Sequence, residues 1–172
     1  MKINLSNLPE GVKQYELTSS PSELGLEQPF FDTILVTVSL EKNSRQLVLS
    51  AEIEAKAKFR CDRCLEEFET ALRPKMRSVY VWNETKSPEF SEEDIHLLAH
   101  RDHIIDLTDD VKECLLLAVP LKVVCRENCA GLCSSCGRNL NLMPSGVCDC
   151  PPKEMDPRWN KLGDVFETLR MN

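Results

Sequence analysis

The sequence has no apolar stretch long enough to cross a membrane. Its longest apolar run, residues 115–121, is interrupted by Pro120, whereas a membrane-spanning helix needs about 20 apolar residues. The first residues, 1–7, also lack the apolar block of a secretory signal. We therefore expect a cytoplasmic protein with no membrane association.

Histidine is scarce, and the common catalytic motifs are missing. The 172 residues include three histidines, and no Gly-x-x-x-x-Gly-Lys loop, Gly-x-Ser-x-Gly turn or His-Glu-x-x-His motif is present. Carboxylates are plentiful, but sequence alone does not place the magnesium-binding cluster that a nuclease needs. We therefore expect that the protein is not an enzyme.

Positive charge is also in deficit. The chain has 21 Lys and Arg against 28 Asp and Glu, a formal net charge of −7 at pH 7. A protein that coats nucleic acid depends on the attraction of its cations to phosphates, so the charge argues against that class. The composition, 42% apolar and 28% charged, is otherwise that of a globular protein.

Cysteine, in contrast, is abundant. Of nine cysteines, eight fall in four close pairs, and Cys114 alone is expected as a small core residue. In a reducing compartment, such pairs predict metal ligands rather than disulfides. Eight thiolates make two closed four-sulfur sites, which favours two structural Zn²⁺ ions over an iron–sulfur cluster or redox disulfides. The candidate ligands are Cys61, Cys64, Cys125, Cys129, Cys133, Cys136, Cys148 and Cys150.

The spacing allows two ways of combining the four pairs. In one, the pairs at 133–136 and 148–150 form a local site, and the pairs at 61–64 and 125–129 form a second site between distant parts of the chain. In the other, the pair at 61–64 joins the pair at 133–136. In the first arrangement the long-range site would order the chain, because metal-binding free energy becomes folding free energy.

The first half of the chain predicts antiparallel strands. Residues 31–40 and 46–53 are apolar and β-branched and are separated by a polar turn. Charged and apolar residues then alternate along 52–60, as in a strand with one buried face. A further strand-like run spans residues 68–82, and the polar residues 83–94 are expected as a loop.

A hairpin is predicted with the first thiol pair at its tip. Folding the chain between Asp62 and Arg63 places Lys58 opposite Glu67, and the same register gives two more pairs of opposite charge. This segment is also the most basic part of the sequence. Its cations are expected either as a salt-paired surface or as an RNA contact: Arg60, Arg63, Arg73, Lys75 and Arg77.

Two short helices complete an α+β fold. The first starts at Thr108, which precedes two aspartates, and ends near Pro120. The second starts at Asp156-Pro157 and carries an apolar stripe that ends at Leu169. We predict a β-rich domain over 1–107 with a zinc-knuckle hairpin at 61–64. The second predicted domain, 108–172, contains the first helix, the Cys-rich zinc-binding segment and the C-terminal amphipathic helix.

Four stretches of the sequence form a specific pattern: Cys61-Asp-Arg-Cys64-Leu65, Leu-Ala-Val-Pro120, the block from Cys125 to Leu140 and Asp156-Pro157-Arg158. With this pattern the chain resembles the YceD family, and the resemblance spans nearly its whole length. The resemblance implies a large-ribosomal-RNA-subunit accumulation protein, which supports normal levels or processing of the 23S rRNA precursor and has no established catalytic activity. It also favours local pairing at 133–150, since the first cysteine pair is the widest hallmark of the family and the last block varies.

The resemblance thus implies a non-enzymatic factor for large ribosomal subunit biogenesis. The expected partners are the pre-50S particle or an assembly protein, with the basic residues as an RNA contact for the 23S rRNA precursor. The alternative is a redox or metal-responsive regulator that uses the same thiols. The sequence leaves the oligomeric state open.

Overall fold

The computed structural model of the chain describes residues 1–6, 8–44, 46–82, 95–98, 103–144 and 146–151. These residues form eight strands, one α-helix and short 3-10 turns at Pro21–Leu24 and Leu140–Leu142. The elements are β1 (Lys2–Asn4), β2 (Gly11–Ser19), β3 (Ile34–Lys42), β4 (Gln46–Arg60), β5 (Glu67–Leu72), β6 (Lys75–Val81), β7 (Ile95–Leu97), β8 (Ile104–Asp106) and α1 (Thr108–Leu117).

The fold is β-rich, as predicted, but the described residues contain one α-helix rather than two. The predicted second helix, from residue 156, and the predicted loop at 83–94 lie outside the described residues. Four strands were not predicted from the sequence: the nine-residue strand β2 and the three-residue strands β1, β7 and β8.

A six-stranded sheet dominates the described chain. Its order is β2-β3-β4-β6-β7, and β5 pairs with β4 beyond the end of β6. All its pairings are antiparallel except that of β6 with β7, while β1 and β8 form a separate antiparallel pair. The long central strand β4 therefore positions both of its neighbours and leads directly into the first cysteine pair.

The core lies on one face of this sheet. In β4 the predicted alternation is confirmed: Ile53, Ala55 and Ala57 are buried, whereas the charged residues between them face outwards. In β3, every second residue from Ile34 to Leu40 is fully buried. Helix α1 packs against β4 and β6 through Val111 and Leu115, which are also fully buried.

The predicted hairpin exists, but its predicted register is wrong by two residues. Lys58 lies opposite Glu69 rather than Glu67, and Arg60 lies opposite Glu67. The reason is that the chain does not turn between two residues: the connection between β4 and β5 takes six, 61–66. The Lys58 ammonium still contacts the Glu67 carboxylate at 2.6 Å, along the diagonal.

Helix α1 begins at the predicted residue, Thr108, but its N-cap residue is Leu107, whose side chain makes no capping hydrogen bond. The Asp106 carboxylate accepts hydrogen bonds from the Thr108 backbone N–H at 3.1 Å and from its hydroxyl at 2.5 Å. The helix ends at Leu117, before Pro120, as the sequence predicted. Cys114 packs at the edge of the core and belongs to neither group of paired cysteines.

The chain divides into two compact units. The first comprises Met1–Arg60 and Glu67–Val123, and the second comprises Cys61–Glu66 and the described residues after Val123. The predicted domain boundary after residue 107 falls inside the first unit, because α1 packs against its strands. None of the helices in the described residues has the length and apolar character of a membrane span.

Candidate metal centre

The eight paired cysteines gather in two clusters of four. Within each cluster all four sulfur atoms lie within 4.8 Å of one another. The described residues contain no further group of three or more metal-binding side chains. The first cysteine cluster is Cys61, Cys64, Cys125 and Cys129. The second cysteine cluster is Cys133, Cys136, Cys148 and Cys150.

The sulfur separations suit a four-coordinate metal ion. Zinc–sulfur bonds of about 2.3 Å at tetrahedral angles place neighbouring sulfurs about 3.8 Å apart. The first cluster has separations of 3.8 Å between Cys61 and Cys129 and 3.7 Å between Cys64 and Cys125. The second is tighter, with 3.5 Å between Cys136 and Cys148. All nine cysteines of the chain are free thiols rather than disulfides.

The first pair of cysteines is held by a turn that we call the first knuckle, residues 61–66. The Leu65 N–H donates to the Cys61 carbonyl at 2.9 Å, and the Cys61 N–H donates to the Glu66 carbonyl at 2.9 Å. Leu65 completes the turn with a φ of +61°, in the left-handed region. The turn brings Cys61 and Cys64 onto one side, where both are buried.

The second knuckle, residues 133–138, repeats this geometry. The Gly137 N–H donates to the Cys133 carbonyl at 2.9 Å, and the Cys133 N–H donates to the Arg138 carbonyl at 2.8 Å. Gly137 has a φ of +74°, which glycine adopts without steric cost. Gly137 therefore lies where the turn closes, as Leu65 does in the first knuckle.

The thiols of each cluster differ in acidity. Burial opposes ionisation of Cys61, but three nearby backbone N–H groups donate to its sulfur and lower its pKa to about 6. Backbone N–H groups likewise lower the pKa of Cys133 to about 6. Burial and neighbouring thiols raise the pKa of Cys125 to about 12, and neighbouring thiols raise that of Cys150 to about 12. A divalent cation would allow all four thiols of a cluster to ionise, because it removes their mutual repulsion.

Polar side chains around the first cluster form hydrogen bonds with its cysteines. This role was not predicted from the sequence. The Asn141 side-chain amide donates to the Cys129 sulfur at 3.3 Å. The Arg63 guanidinium donates to the carbonyl oxygens of Cys129 at 3.0 Å and Glu127 at 3.3 Å. The one signal in the sequence was the recurrence of asparagine after the second knuckle, at 139 and 141.

The two clusters differ in exposure. Three cysteines of the first cluster are buried and Cys125 is half-buried, whereas in the second Cys136 is exposed and the other three are half-buried. Water and small solutes therefore reach the second cluster more readily than the first.

The five basic candidates for RNA contact do not share one environment. Arg73 contacts the Glu54 carboxylate at 2.9 Å, and Lys75 contacts that of Glu52. Arg60, Arg73, Lys75 and Arg77 belong to the first unit, and Arg63 belongs to the second. The charges of Arg73 and Lys75 are thus balanced locally on the exposed face of the sheet, in ion pairs whose side chains remain accessible.

The fold and the two four-cysteine clusters together define a cysteine-rich α+β protein. The sequence model of one family, described as large ribosomal RNA subunit accumulation protein YceD, matches residues 49–166. The chain belongs to this family. The matched range starts in β4 and contains all nine cysteines.

Related proteins occur in bacteria and plants. An uncharacterized protein of Mycobacterium tuberculosis is 27% identical over 163 residues, which cover 91% of this chain and 76% of the relative. The chloroplastic large ribosomal RNA subunit accumulation protein YCED homolog 1 of Zea mays is 39% identical over 54 residues, 31% of this chain and 18% of the relative. The homolog 1 of Arabidopsis thaliana is 30% identical over 66 residues, 38% of this chain and 20% of the relative. No solved structure matches the chain.

Proposed function

We propose that this chain is a non-enzymatic factor for biogenesis of the large ribosomal subunit, which supports processing and accumulation of the 23S rRNA precursor. The observation that carries the proposal is the family match over residues 49–166. The names of the plant relatives point to the same process. We place the activity in the cytoplasm, where thiols stay reduced.

Two structural Zn²⁺ ions are the cofactors that we propose. The ligands would be the four sulfurs of each cluster, whose separations in the first cluster match those around tetrahedral zinc. Four thiolates fill the coordination sphere and leave no position for a substrate, which supports a role in stabilisation rather than catalysis. When bound, each ion would contribute its binding free energy to the order of the knuckles.

Elemental analysis tests the zinc proposal directly. Reduced protein prepared without chelator should contain two zinc ions per chain, and Cys114→Ser should keep both, because Cys114 lies in neither cluster. Cys136→Ser should retain the zinc of the first cluster alone. A wild-type protein with one ion or none would contradict the two-site proposal, and iron in place of zinc would reassign the metal.

The route to the ribosome follows from charge. Two Zn²⁺ ions on eight thiolates add a net −4 to the formal −7, which gives about −11 at neutral pH. So acidic a protein is repelled by the phosphate backbone over most of its surface. We propose that it reaches the pre-50S particle through an assembly protein. The alternative is a direct contact between the five basic residues and the 23S rRNA precursor.

Affinity purification from cells tests the function. A tagged chain isolated at moderate salt should carry large-subunit proteins or an assembly factor together with 23S rRNA precursor. Depletion of the protein should lower mature large-subunit RNA relative to small-subunit RNA, and the wild-type gene should restore the ratio. An unchanged ratio, with no large-subunit material on the tagged chain, would contradict the proposal.

A thiol-based regulator is the second candidate, and the exposure of Cys136 favours it. Hydrogen peroxide would oxidise two thiolates to a disulfide and, with two protons from solvent, would itself be reduced to two water molecules; the cluster would then release its metal. Zinc content measured after mild peroxide treatment separates the two functions. Retention of both ions argues against the regulator, and reversible loss of one ion argues for it.

A further inference from the structure

The segment after the second knuckle runs back to the first cysteine cluster. Leu132 and Asn139 form an antiparallel bridge on either side of that knuckle. The Leu140 N–H then donates to the Gly131 carbonyl at 2.9 Å. Residues 131–140 are thus a short hairpin whose tip carries Cys133 and Cys136, so the geometry of the tip decides where residues 139–141 lie.

Asn141 forms hydrogen bonds with the Cys129 sulfur and with the backbone next to it. Its Nδ2 donates to the Cys129 sulfur at 3.3 Å, and its Oδ1 accepts from the Ala130 backbone N–H at 2.9 Å. The Arg126 guanidinium donates to the same Oδ1 at 2.6 Å. One side chain therefore fixes both the sulfur and the backbone beside it, and its N–H group favours the thiolate form that a metal needs.

Asn139 in turn holds Asn141 in place. Its Oδ1 accepts from the Asn141 backbone N–H at 3.0 Å and from the Asn141 Nδ2 at 2.8 Å. Its own Nδ2 donates to the Glu66 carboxylate, at the end of the first knuckle, at 3.3 Å. The chain of contacts therefore runs from the second knuckle through Asn139 and Asn141 to a ligand of the first cluster.

We propose that Asn141 is a positioning residue of the first cysteine cluster, and that a metal ion in the second cluster raises the metal affinity of the first by fixing the hairpin that holds Asn141. This inference rests on the metal binding proposed above. Hydrogen-bonding partners of metal ligands are typically worth about 10- to 100-fold in metal affinity. Coupling between binding sites is reciprocal, so metal in the first cluster also strengthens binding at the second.

Asn141→Asp is the first test, because it keeps the shape of the side chain and removes the amide donor. Zn²⁺ is titrated against a chromophoric chelator in the full chain, and the backbone amide resonances of Leu65 and Gly137 report the two clusters separately. We expect the Zn²⁺ affinity of the first cluster to fall about 10-fold or more. In the Cd²⁺-loaded chain, the cadmium-113 resonance of the first cluster should shift, whereas a merely structural role would leave it in place.

Asn128→Asp is the matched control. Asn128 lies in the same loop, next to Cys129, and is exposed, and within the described residues its side chain donates to no cysteine sulfur. The control adds the same negative charge without removing a hydrogen bond to sulfur, so we expect an affinity within about twofold of wild type. Equal losses in both variants would show that charge alone acts and would overturn the role of Asn141. Asn141→Gln, which keeps a displaced amide, should give an intermediate affinity.

Cys136→Ser tests the coupling. Loss of the second metal site should lower the Zn²⁺ affinity of the first cluster several-fold, within the range of about 5- to 150-fold that is usual for coupled sites. In an Asn141→Ala background, Cys136→Ser should cause no further loss of Zn²⁺ affinity at the first cluster, because the hydrogen bonds that link the two clusters are already missing. Independent, multiplicative effects of the two substitutions would overturn the coupling.

The proposal can fail separately from the zinc proposal. If the wild-type chain takes up no metal in either cluster, metal binding itself is wrong. If it takes up two ions and Asn141→Asp leaves the affinity and the cadmium signature of the first cluster unchanged, metal binding stands and the role of Asn141 is wrong.

Discussion

Leu65 and Gly137 play the same part in the two knuckles with different side chains. Each follows the second cysteine of its pair, has a positive φ and donates its N–H to the carbonyl of the first cysteine. Glycine adopts this conformation freely, whereas for a residue with a Cβ it costs about 1–2 kcal/mol. The first knuckle therefore carries backbone strain that the second lacks.

Side-chain shape at these two positions should control the stability of the knuckles. Leu65→Gly should change the free energy of unfolding by less than about 0.5 kcal/mol, because relief of strain offsets the greater freedom of glycine when unfolded. Leu65→Val and Gly137→Val should each cost about 1–2 kcal/mol. A Cβ at Gly137 meets nothing within 4 Å, so the cost there comes from φ alone. Urea unfolding of the metal-loaded chain measures these effects, and equal stability of the Val and Gly variants at 65 would contradict the strain.

The cysteines could be predicted as ligands from the sequence, but the asparagines that support them could not. Cysteine pairs at spacings of two to four residues follow from the short reach between adjacent ligands of one metal. The hydrogen bond from Asn141 to Cys129 has no such spacing rule, because it depends on how the hairpin at 131–140 folds back. Spacing also left the combination of the pairs open, and the structure gathers them in the local arrangement that the resemblance favoured.

The start of α1 depends on one carboxylate that precedes it. Hydrogen bonds from the Thr108 hydroxyl and backbone N–H lower the pKa of Asp106 to about 2, from an ordinary value of 3.8. Because the folded-state pKa lies below the unfolded one, the stabilisation is complete above about pH 4 and is lost as the pH falls towards 2. The sequence predicted the helix start at Thr108 from the hydroxyl and the negative charge there. The carboxylate that accepts the Thr108 hydrogen bonds is that of Asp106, one residue before the N-cap Leu107.

Replacement of Asp106 should remove this pH dependence. The stability difference between wild type and Asp106→Asn should be largest above pH 4 and should shrink towards zero near pH 2. Its size should stay under about 1 kcal/mol, since the side chain is 46% exposed. Thermal unfolding of both proteins from pH 2 to 6 measures the difference. Any loss of metal at low pH affects both proteins equally and therefore cancels in the comparison. Asp109→Asn, in the same turn of α1, is the control, and an equal effect there would contradict the role of Asp106.

The pattern of charges does not determine the register of the hairpin formed by β4 and β5. Both the predicted and the observed register bring opposite charges together, because a shift of two residues leaves every side chain on the same face of the sheet. What fixes the register is the six-residue knuckle, whose hydrogen bond from Cys61 to Glu66 closes the loop. The same pairing then continues past Pro74, whose carbonyl accepts from the Ile53 N–H at 3.0 Å.

In the whole molecule, the first cluster joins residues that are distant in sequence. Cys61→Ser should remove its metal, and amide hydrogen exchange should then accelerate in residues 61–66 and 124–130. The core strands β3 and β4 should stay protected, and at saturating Zn²⁺ the knuckle at 133–138 should also stay protected. Cys114→Ser is the control and should alter neither region. If 133–138 loosens while 124–130 stays protected, the ligand sets differ from the clusters observed.

Variants of the basic residues decide whether the chain contacts ribosomal RNA directly. Arg63 is best varied alone, with metal content as a check, because its guanidinium holds the backbone at Cys129. The other four can be replaced together by glutamine, with a cost to stability of under about 1 kcal/mol, since exposed ion pairs contribute little: Arg60, Arg73, Lys75 and Arg77.

If these side chains contact the 23S rRNA precursor, the fourfold variant should bind pre-50S particles more weakly. For every phosphate that is no longer neutralised, the log–log salt slope of binding should also fall by about one. Lys13→Gln combined with Lys122→Gln is the control, which lowers the positive charge elsewhere on the surface. Binding is measured by cosedimentation over a series of salt concentrations. Unchanged affinity and slope in the fourfold variant would exclude this RNA contact and leave recruitment to a protein partner, as the acidity of the chain favours.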